Sequence, residues 1–420
     1  MDHVTGLKCT ICGQTYAPDA VEYVCPKHGD DGNLDVQYDY AQIASRVEAD
    51  GLQYVHGIWR YKALMPIAYD AQVPPLSVGK TPMYRVEGIA HELGVAEVWL
   101  KDDGRNPTAS LKDRASALVV AKALHEGREL VTTASTGNAA AALAGLAASV
   151  QMPTVIFVPA AAPEAKITQL LVYGAHVLLV DGTYDDAFEL CLKATREYGW
   201  YCRNTGYNPY TAEGKKTVSY EICEKLSPGS GQFLAPDRVF VSVGDGTIIS
   251  GVHKGFKDLL ALGWIENMPK LVGVQAEGSA AMYQAWQTGI DPADMQPIDA
   301  QTIADSISAG LPRDRVKAMN AVRETDGAYV VVSDEDILAA IPDLARASGI
   351  FAEPAGAATY AGMLKAARLG LLSPEERVVG IITGNGLKDV ASARRAVGAA
   401  YQVKPDLDDV ARVVGEIFDE

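Results

Sequence analysis

One lysine, one threonine, two glycine-bearing turns and a group of cysteines carry the chemistry legible in this 420-residue chain. Lys112 follows the polar turn Asn106-Pro107-Thr108-Ala109-Ser110-Leu111 and opens a helix-like run. A helix N-terminus is electropositive, so it disfavours an ammonium and lowers its pKa. Schiff-base chemistry needs such a neutral amine; the plain alternative is a solvated surface lysine. Thr133-Ala134-Ser135-Thr136-Gly137-Asn138 leads into an alanine-rich run. Ser135 or Thr136 can cap that helix, and the free N–H groups over Ser135, Thr136, Gly137 and Asn138 could equally hold a carboxylate. In Val243-Gly244-Asp245-Gly246-Thr247-Ile248-Ile249 the glycines fall between a strand and a helix, a cradle of N–H groups suited to phosphate. Ile249 stands where a dinucleotide fingerprint needs glycine, and no lysine follows as in a Walker loop. Thr383 ends a strand-like run before Gly384-Asn385-Gly386-Leu387-Lys388-Asp389. Its hydroxyl could sit beside a ring nitrogen, or the segment could be a simple tight turn.

Near the N-terminus, Cys9-Thr10-Ile11-Cys12-Gly13 and Cys25-Pro26-Lys27-His28-Gly29 form two ligand pairs with two residues between the members of each. That spacing suits a tetrahedral zinc held by Cys9, Cys12, Cys25 and His28. Four protein ligands leave no open position, so such a zinc is structural. The alternative is free thiols beside a chance histidine. Cys191, Cys202 and Cys223 lie in helix-like, strand-like and helix-like segments and read as reduced thiols.

Short, apolar, β-branched runs position these turns: Val98 to Leu100, Leu130 to Ala134, Val155 to Val158, Val177 to Val180, Val239 to Val243, Leu271 to Val274 and Val378 to Thr383. They read as strands buried on both faces. Helical runs such as Ala115 to Glu126 and Ala187 to Tyr198 separate them, so the fold class is α/β with parallel-type sheets covered by helices. Ligands in such folds bind at the carboxyl ends of strands, where the turns lie. A segment from Asp39 to Asp70, with Tyr54, Trp59 and Tyr61, is helical in flavour, and Pro405 to Glu420 reads as a tail helix.

The composition sets outer bounds. With 48% hydrophobic and 21% charged residues, the chain can bury two packed domains. A net charge of −16 repels phosphate backbones and argues against nucleic acid as a partner. No apolar run is long enough to span a bilayer and no signal peptide is visible, so a cytoplasmic protein with no membrane partner is expected.

Taken together and in this order, the motifs resemble fold-type II pyridoxal-phosphate (PLP) enzymes, and threonine synthases most of all. The resemblance runs from about Leu7 to Ala400. Gly79-Lys80-Thr81-Pro82 resembles the family's opening segment, and Asn106 to Arg114 its PLP-lysine motif, which implies a Schiff base on Lys112. Ser135 to Asn138 resembles the loop for the substrate carboxylate, with Asn138 at the cofactor's phenolic oxygen. Gly244, Asp245, Gly246, Thr247 and Ile248 resemble the phosphate loop, and Thr383 is implied at the pyridine nitrogen. Asn208-Pro209, Glu213-Gly214-Lys215-Lys216-Thr217 and Glu353-Pro354-Ala355 fit as well.

The resemblance implies a two-domain architecture. Residues 1–38 would form a zinc ribbon and 39–78 a helical extension. Residues 79–116 and 212–400 would form the larger PLP domain, 117–211 a smaller mobile domain, and 401–420 the tail helix. It implies a homodimer that converts O-phosphohomoserine and water to threonine and phosphate, with PLP and a structural zinc as cofactors and a small amino-acid phosphate as substrate. Thr211 stands where many family members carry an arginine thought to hold the substrate phosphate, and Asp245 stands where asparagine is common. Lys166, Arg203, Arg313 and Arg114 are the cations that could replace that arginine, with Asn208 nearby as a further substrate contact. Rival readings are β-replacement on phosphoserine, threonine or serine dehydration, a nucleotide-binding oxidoreductase built on the Gly244 turn, and a non-catalytic relative.

Overall fold

The computed structural model describes residues 2–50, 52, 55–162, 164–227, 229 and 233–418, with residues 48–50 as backbone alone. Tyr54 lies outside the described residues.

Three sheets organise the chain. The first is small and antiparallel: β1 (Val4–Cys9) is flanked by β2 (Thr15–Tyr16) and β3 (Leu34–Tyr38). The knuckles carrying Cys9, Cys12, Cys25 and His28 hang from its strand ends, so it forms a compact ribbon. Next come a helix over Tyr40–Asp50 and a 3-10 segment over Gly57–Leu64 whose Ile58, Trp59 and Tyr61 are buried. The region expected to be helical is therefore helical in two short pieces rather than throughout.

The second sheet has six strands: β4 (Met83–Arg85), β5 (Glu97–Asp102), β10 (Arg238–Ser242), β11 (Lys270–Ala276), β12 (Ala328–Val332) and β13 (Arg377–Ile382). Their order is β12-β11-β10-β13-β5-β4, parallel throughout except for the edge strand β4. The third sheet contains β6 (Val131–Ala134), β7 (Thr154–Pro159), β8 (His176–Val180) and β9 (Tyr201–Cys202) in the parallel order β8-β7-β6-β9.

All seven strands expected from sequence are present. The run at Ala328–Val332 adds a strand that was not singled out. The run at Val177 to Val180 differs in burial. It forms the edge strand β8, and Leu178 and Leu179 are 43% and 56% exposed. Apolar composition does not separate an edge strand from a central one. The tail helix spans Leu407–Phe418 and buries Val413, while Leu407 and Phe418 stay largely exposed. Among the described residues no helix is long and apolar enough to cross a membrane.

Strand order explains the site. β10, β13 and β5 are neighbours, so the turns leaving their carboxyl ends are neighbours too. β6 and β9 are likewise adjacent, and their ends carry Ser135 to Asn138 and Arg203 to Asn204.

Candidate active site

Lys112 is the first residue of a helix that runs to His125 and is half-buried. The turn before it is stitched to the turn after β13. The Leu111 amide donates to the Thr383 carbonyl at 2.9 Å and the Asn385 amide to the Ala109 carbonyl at 3.1 Å. The lysine and the threonine, 271 positions apart in the sequence, are thus held together by backbone hydrogen bonds. Burial and the positive charge of Arg203 push the Lys112 amine toward neutrality, while Glu353 and Asp245 pull the other way.

The phosphate-type turn follows β10. Gly246 has φ of 90°, in the left-handed region, and starts the helix Thr247–Ala261. A Cβ on Gly244 would meet the Ile307 backbone at 2.7 Å, and one on Gly246 the Ala318 methyl at 2.7 Å, so both positions need glycine. Asp245 does not point its carboxylate at the helix end. Its Oδ1 accepts from the Arg313 amide at 3.3 Å and its carbonyl from the Asp314 amide at 2.8 Å. Burial raises its pKa, which lessens the like-charge cost of an acid beside a phosphate cradle.

The carboxylate-type loop after β6 starts the helix Asn138–Ala148. Ser135 Oγ accepts from the Gly137 amide at 3.2 Å. Thr136, Gly137 and Asn138 line a cleft together with Lys166, Glu353 and Lys388. Asn138 Nδ2 donates to Glu353 Oε1 at 2.7 Å. Glu353 is buried, and burial raises its pKa against the pull of Lys112 and the Asn138 hydrogen bond. Gly384 makes room for that carboxylate, since a Cβ there would lie 2.1 Å from Oε1. Sequence reasoning quoted Glu353-Pro354-Ala355 but gave the glutamate no role; a carboxylate just before an alanine-rich helix was the available signal.

The remaining expected residues divide. Lys166 pairs with Asp305 on the rim of the cleft. Asn208 is engaged locally, donating to the Cys202 carbonyl at 2.8 Å and accepting from the Tyr210 amide at 2.9 Å, so its side chain shapes the turn. Arg203 is fully buried, with Nε on Ser116 Oγ at 3.2 Å and Nη1 on Thr205 Oγ1 at 2.7 Å. Arg114 is held by Asp103 and Glu221 in a network of its own.

PLP has a ring nitrogen, a phenolic oxygen, a phosphate and an aldehyde, and the residues present fit it. Buried polar atoms of Ser110, Asn204, Ser242 and Thr247 have no partner among the described residues. Thr247 begins the helix behind the phosphate-type turn, and Ser110 lies two residues before Lys112. Buried polar groups are rarely left unpaired, so orphans gathered at an amine and a glycine cradle indicate a place for a polar ligand.

The ribbon meets the requirements of a metal. The ligand atoms of Cys9, Cys12, Cys25 and His28 all lie within 4.8 Å of one another. Cys12 and Cys25 sulfurs are 4.0 Å apart, and Cys9 Sγ is 3.7 Å from His28 Nδ1. Zn–S bonds of about 2.3 Å give tetrahedral S···S edges of about 3.8 Å, so the cluster is compatible with zinc.

Comparison with known proteins agrees with this geometry. A sequence family described as "Pyridoxal-phosphate dependent enzyme" matches residues 75–384. A threonine synthase of Methanocaldococcus jannaschii is 36% identical over 413 residues, covering 98% of this chain and 99% of that protein. One of Methanosarcina acetivorans is 39% identical, covering 91% and 92%. Among solved structures, diaminopropionate ammonia lyase of Escherichia coli aligns with a TM-score of 0.65 at 18% identity, covering 85% of this chain and 91% of that one. The processed form of threonine deaminase isoform 2 of Solanum lycopersicum aligns with 0.62 at 22% identity, covering 90% and 88%. At those identities the structures speak for the fold, which is that of fold-type II PLP enzymes.

Proposed function

We propose that this chain, which belongs to the pyridoxal-phosphate dependent enzyme family and groups within it with the threonine synthases, converts O-phosphohomoserine and water to threonine and phosphate. The observation that carries the reading is Lys112, a lysine whose amine is driven toward neutrality at a point facing both Glu353 and the Asp245 turn.

PLP is the cofactor. Lys112 would hold it, the N–H groups of the Gly244 to Ile248 turn would take its phosphate, Thr383 its ring nitrogen and Asn138 its phenolic oxygen. When bound, it withdraws electrons from the substrate's Cα and so makes the protons at Cα and Cβ removable. Lys112 Nζ would accept the Cα proton and return protons along the substrate chain. The N–H groups of Ser135 to Asn138 hold the substrate carboxylate at a helix start, which fixes Cα beside that nitrogen. Glu353 anchors the Asn138 amide, and its carboxylate form favours the Lys112 ammonium, tempering the loss of proton affinity that burial causes. A threonine at the ring nitrogen cannot force protonation as an aspartate would, so electron withdrawal is moderate and suits elimination and replacement.

The test is turnover of purified protein with O-phosphohomoserine, assayed for threonine and phosphate together, alongside Lys112→Ala. The variant is expected to lose the yellow absorbance of lysine-bound PLP and at least a thousandfold in rate; full activity in it would end the proposal. Ammonia release from threonine at a higher rate would move the reading to a dehydratase. The same reading includes a mobile unit over 117–211 and a homodimer acting in the cytoplasm; light scattering on the eluted protein measures the dimer.

A further inference from the structure

Two buried basic side chains beside the candidate active site have no anionic partner among the described residues. Arg203 is 0% exposed and Lys215 is 1% exposed. The Arg203 Nη2 has no hydrogen-bond partner among the described residues, and the same holds for Nδ2 of Asn204, the next residue in the chain, and for Thr247 Oγ1 at the start of the helix behind the phosphate-type turn. No hydrogen bond or ion pair engages Lys215 among the described residues. Its helix, Tyr210–Lys215, is pressed against the first turns of the helix Thr247–Ala261, because a Cβ on Gly251 would lie 2.8 Å from Lys215 Cβ. A Cβ on Gly214 would meet the Arg114 carbonyl at 2.2 Å, so the same helix also abuts the start of the Lys112 helix. Lys215 thus lies where the phosphate-type turn, the Lys112 helix and the end of β9 converge.

Charges facing this point are few. After burial, Arg203 and Lys112 are the groups that most disfavour the Lys215 ammonium, while Asp314 and Asp245 favour it. Asp245 is engaged by the Arg313 amide, and Asp314 by Asn33 at 3.3 Å and Lys317 at 3.2 Å. Burial brings Arg203 down to about 10, with the Tyr184 hydroxyl, the Cys202 thiol, Asp113 and Asp245 opposing. Arg203 therefore stays charged at neutral pH, in a low-dielectric place where unpaired charge is costly, while burial and the neighbouring cations depress the proton affinity of Lys215, which an anion beside it would restore. Such a pair is stable when an anion joins it. The N–H groups of residues 244–248 already serve one phosphate, which leaves the cations for a second.

We infer that Arg203 and Lys215, with the Thr205 hydroxyl and the Asn204 amide, form the pole that grips the substrate's own phosphomonoester, which rests on the threonine synthase reading. Thr211 and Lys215 are four residues apart on one helix and share a face. The positive charge absent at Thr211 is supplied one turn later. The pole acts on the leaving step. A Cβ proton passes to Lys112, its electron pair becomes the Cβ–Cγ double bond, and the Cγ–O pair departs with the phosphate, whose growing charge Arg203 and Lys215 stabilise.

The experiment uses holoenzyme, with the cofactor's phosphate seated, and titrates inorganic phosphate by calorimetry while KM for O-phosphohomoserine is measured in parallel. Lys215→Gln is expected to retain one cofactor per chain, to weaken phosphate at least tenfold and to raise KM by a similar factor. Thr211→Arg in the Lys215→Gln background is expected to recover at least half of that loss on a logarithmic scale. Unchanged phosphate affinity in K215Q would overturn the proposal. Loss of cofactor with phosphate affinity intact would overturn it too, by assigning Lys215 to the cofactor's phosphate. Arg203→Lys, which keeps charge but loses the fork, supplies the same test with a threefold to tenfold expected loss if K215Q does not fold. Lys215-dependent phosphate binding in an enzyme that does not turn over O-phosphohomoserine would leave the pole standing and remove the threonine synthase reading.

Discussion

Arg114, in the first turn of the Lys112 helix, and Arg203, hydrogen-bonded to Ser116 of the same helix, are both fully buried, yet their surroundings are opposite. Arg114 gives Nε and Nη2 to Asp103 at 2.6 and 2.9 Å, and Nη1 and Nη2 to Glu221 at 2.7 and 2.8 Å. Thr217 and Thr81 accept from it too, and Lys101 joins Glu221 at 2.7 Å. Arg203 meets two hydroxyls and, among the described residues, no carboxylate. The Arg114 network ties β5, the Lys112 helix and the helix Thr217–Leu226 together and is complete as it stands. The Arg203 and Lys215 pair is incomplete. Paired buried charge marks architecture here, and unpaired buried charge marks a place for a ligand.

The sharpest way to break this contrast is to unpair the complete network. Glu221→Gln leaves Arg114 and Lys101 with half their partners and is expected to cost about 3–5 kcal/mol of stability, measured by urea unfolding. A loss under about 1 kcal/mol would mean that the network is not architectural. Completing the incomplete pair works in the other direction. Inorganic phosphate at a hundredfold excess over its Kd is expected to add about 2.7 kcal/mol to unfolding of the wild-type holoenzyme, and far less in Lys215→Gln.

The pH dependence has opposite sign in the two regions. Against burial, Arg114 and Lys101 hold the Glu221 carboxyl well below its usual range. Its stabilisation is therefore present above the ordinary glutamate pKa and is lost as pH falls through the folded value. Lys215 has its pKa depressed, chiefly by burial. Below the folded value its protonated form weighs fully against the fold, and stability rises as pH climbs from there toward the ordinary lysine value. Unfolding followed from pH 3 to 10 is expected to show an acid loss that disappears in Glu221→Gln and an alkaline gain that disappears in Lys215→Gln. The smallest effect expected is on the stability of Lys215→Gln itself without phosphate: a gain of up to about 1 kcal/mol, since a buried unpaired charge is removed. A loss above about 2 kcal/mol would show that the lysine has a structural partner.

Much of the site was legible because its parts are local. Lys112 at a helix start, the glycines at 244 and 246 and the two cysteine knuckles each depend on a few consecutive residues and their backbone geometry, whereas neither Ser135 nor Thr136 caps the helix that follows, whose N-cap is Gly137 with no side-chain cap bond. Glu353 was passed over because its meaning lies in Asn138, 215 positions away in sequence. Asn208 is expected at the substrate, and its carboxamide bonds the backbone at Cys202 and Tyr210; in sequence a carboxamide in a turn reads the same for either role. The exposed edge strand β8 was read as buried because its composition matches that of a central strand.

The amino-acid order by itself determined the fold class, the strand and helix punctuation, the lysine and the metal-ligand spacing, because those follow from local sterics, periodicity and chemical type. Only the tertiary structure decided which buried charges are matched. Arg114, Arg203, Lys215 and Lys216 are alike in sequence as basic residues with polar or charged neighbours. Lys216 meets Glu213 and Asp258 at 2.7 Å each, Arg114 meets Asp103 and Glu221, and the other two meet no carboxylate among the described residues. Electrostatic pairing depends on distance through space, and that distance exists only once the sheets and helices have packed.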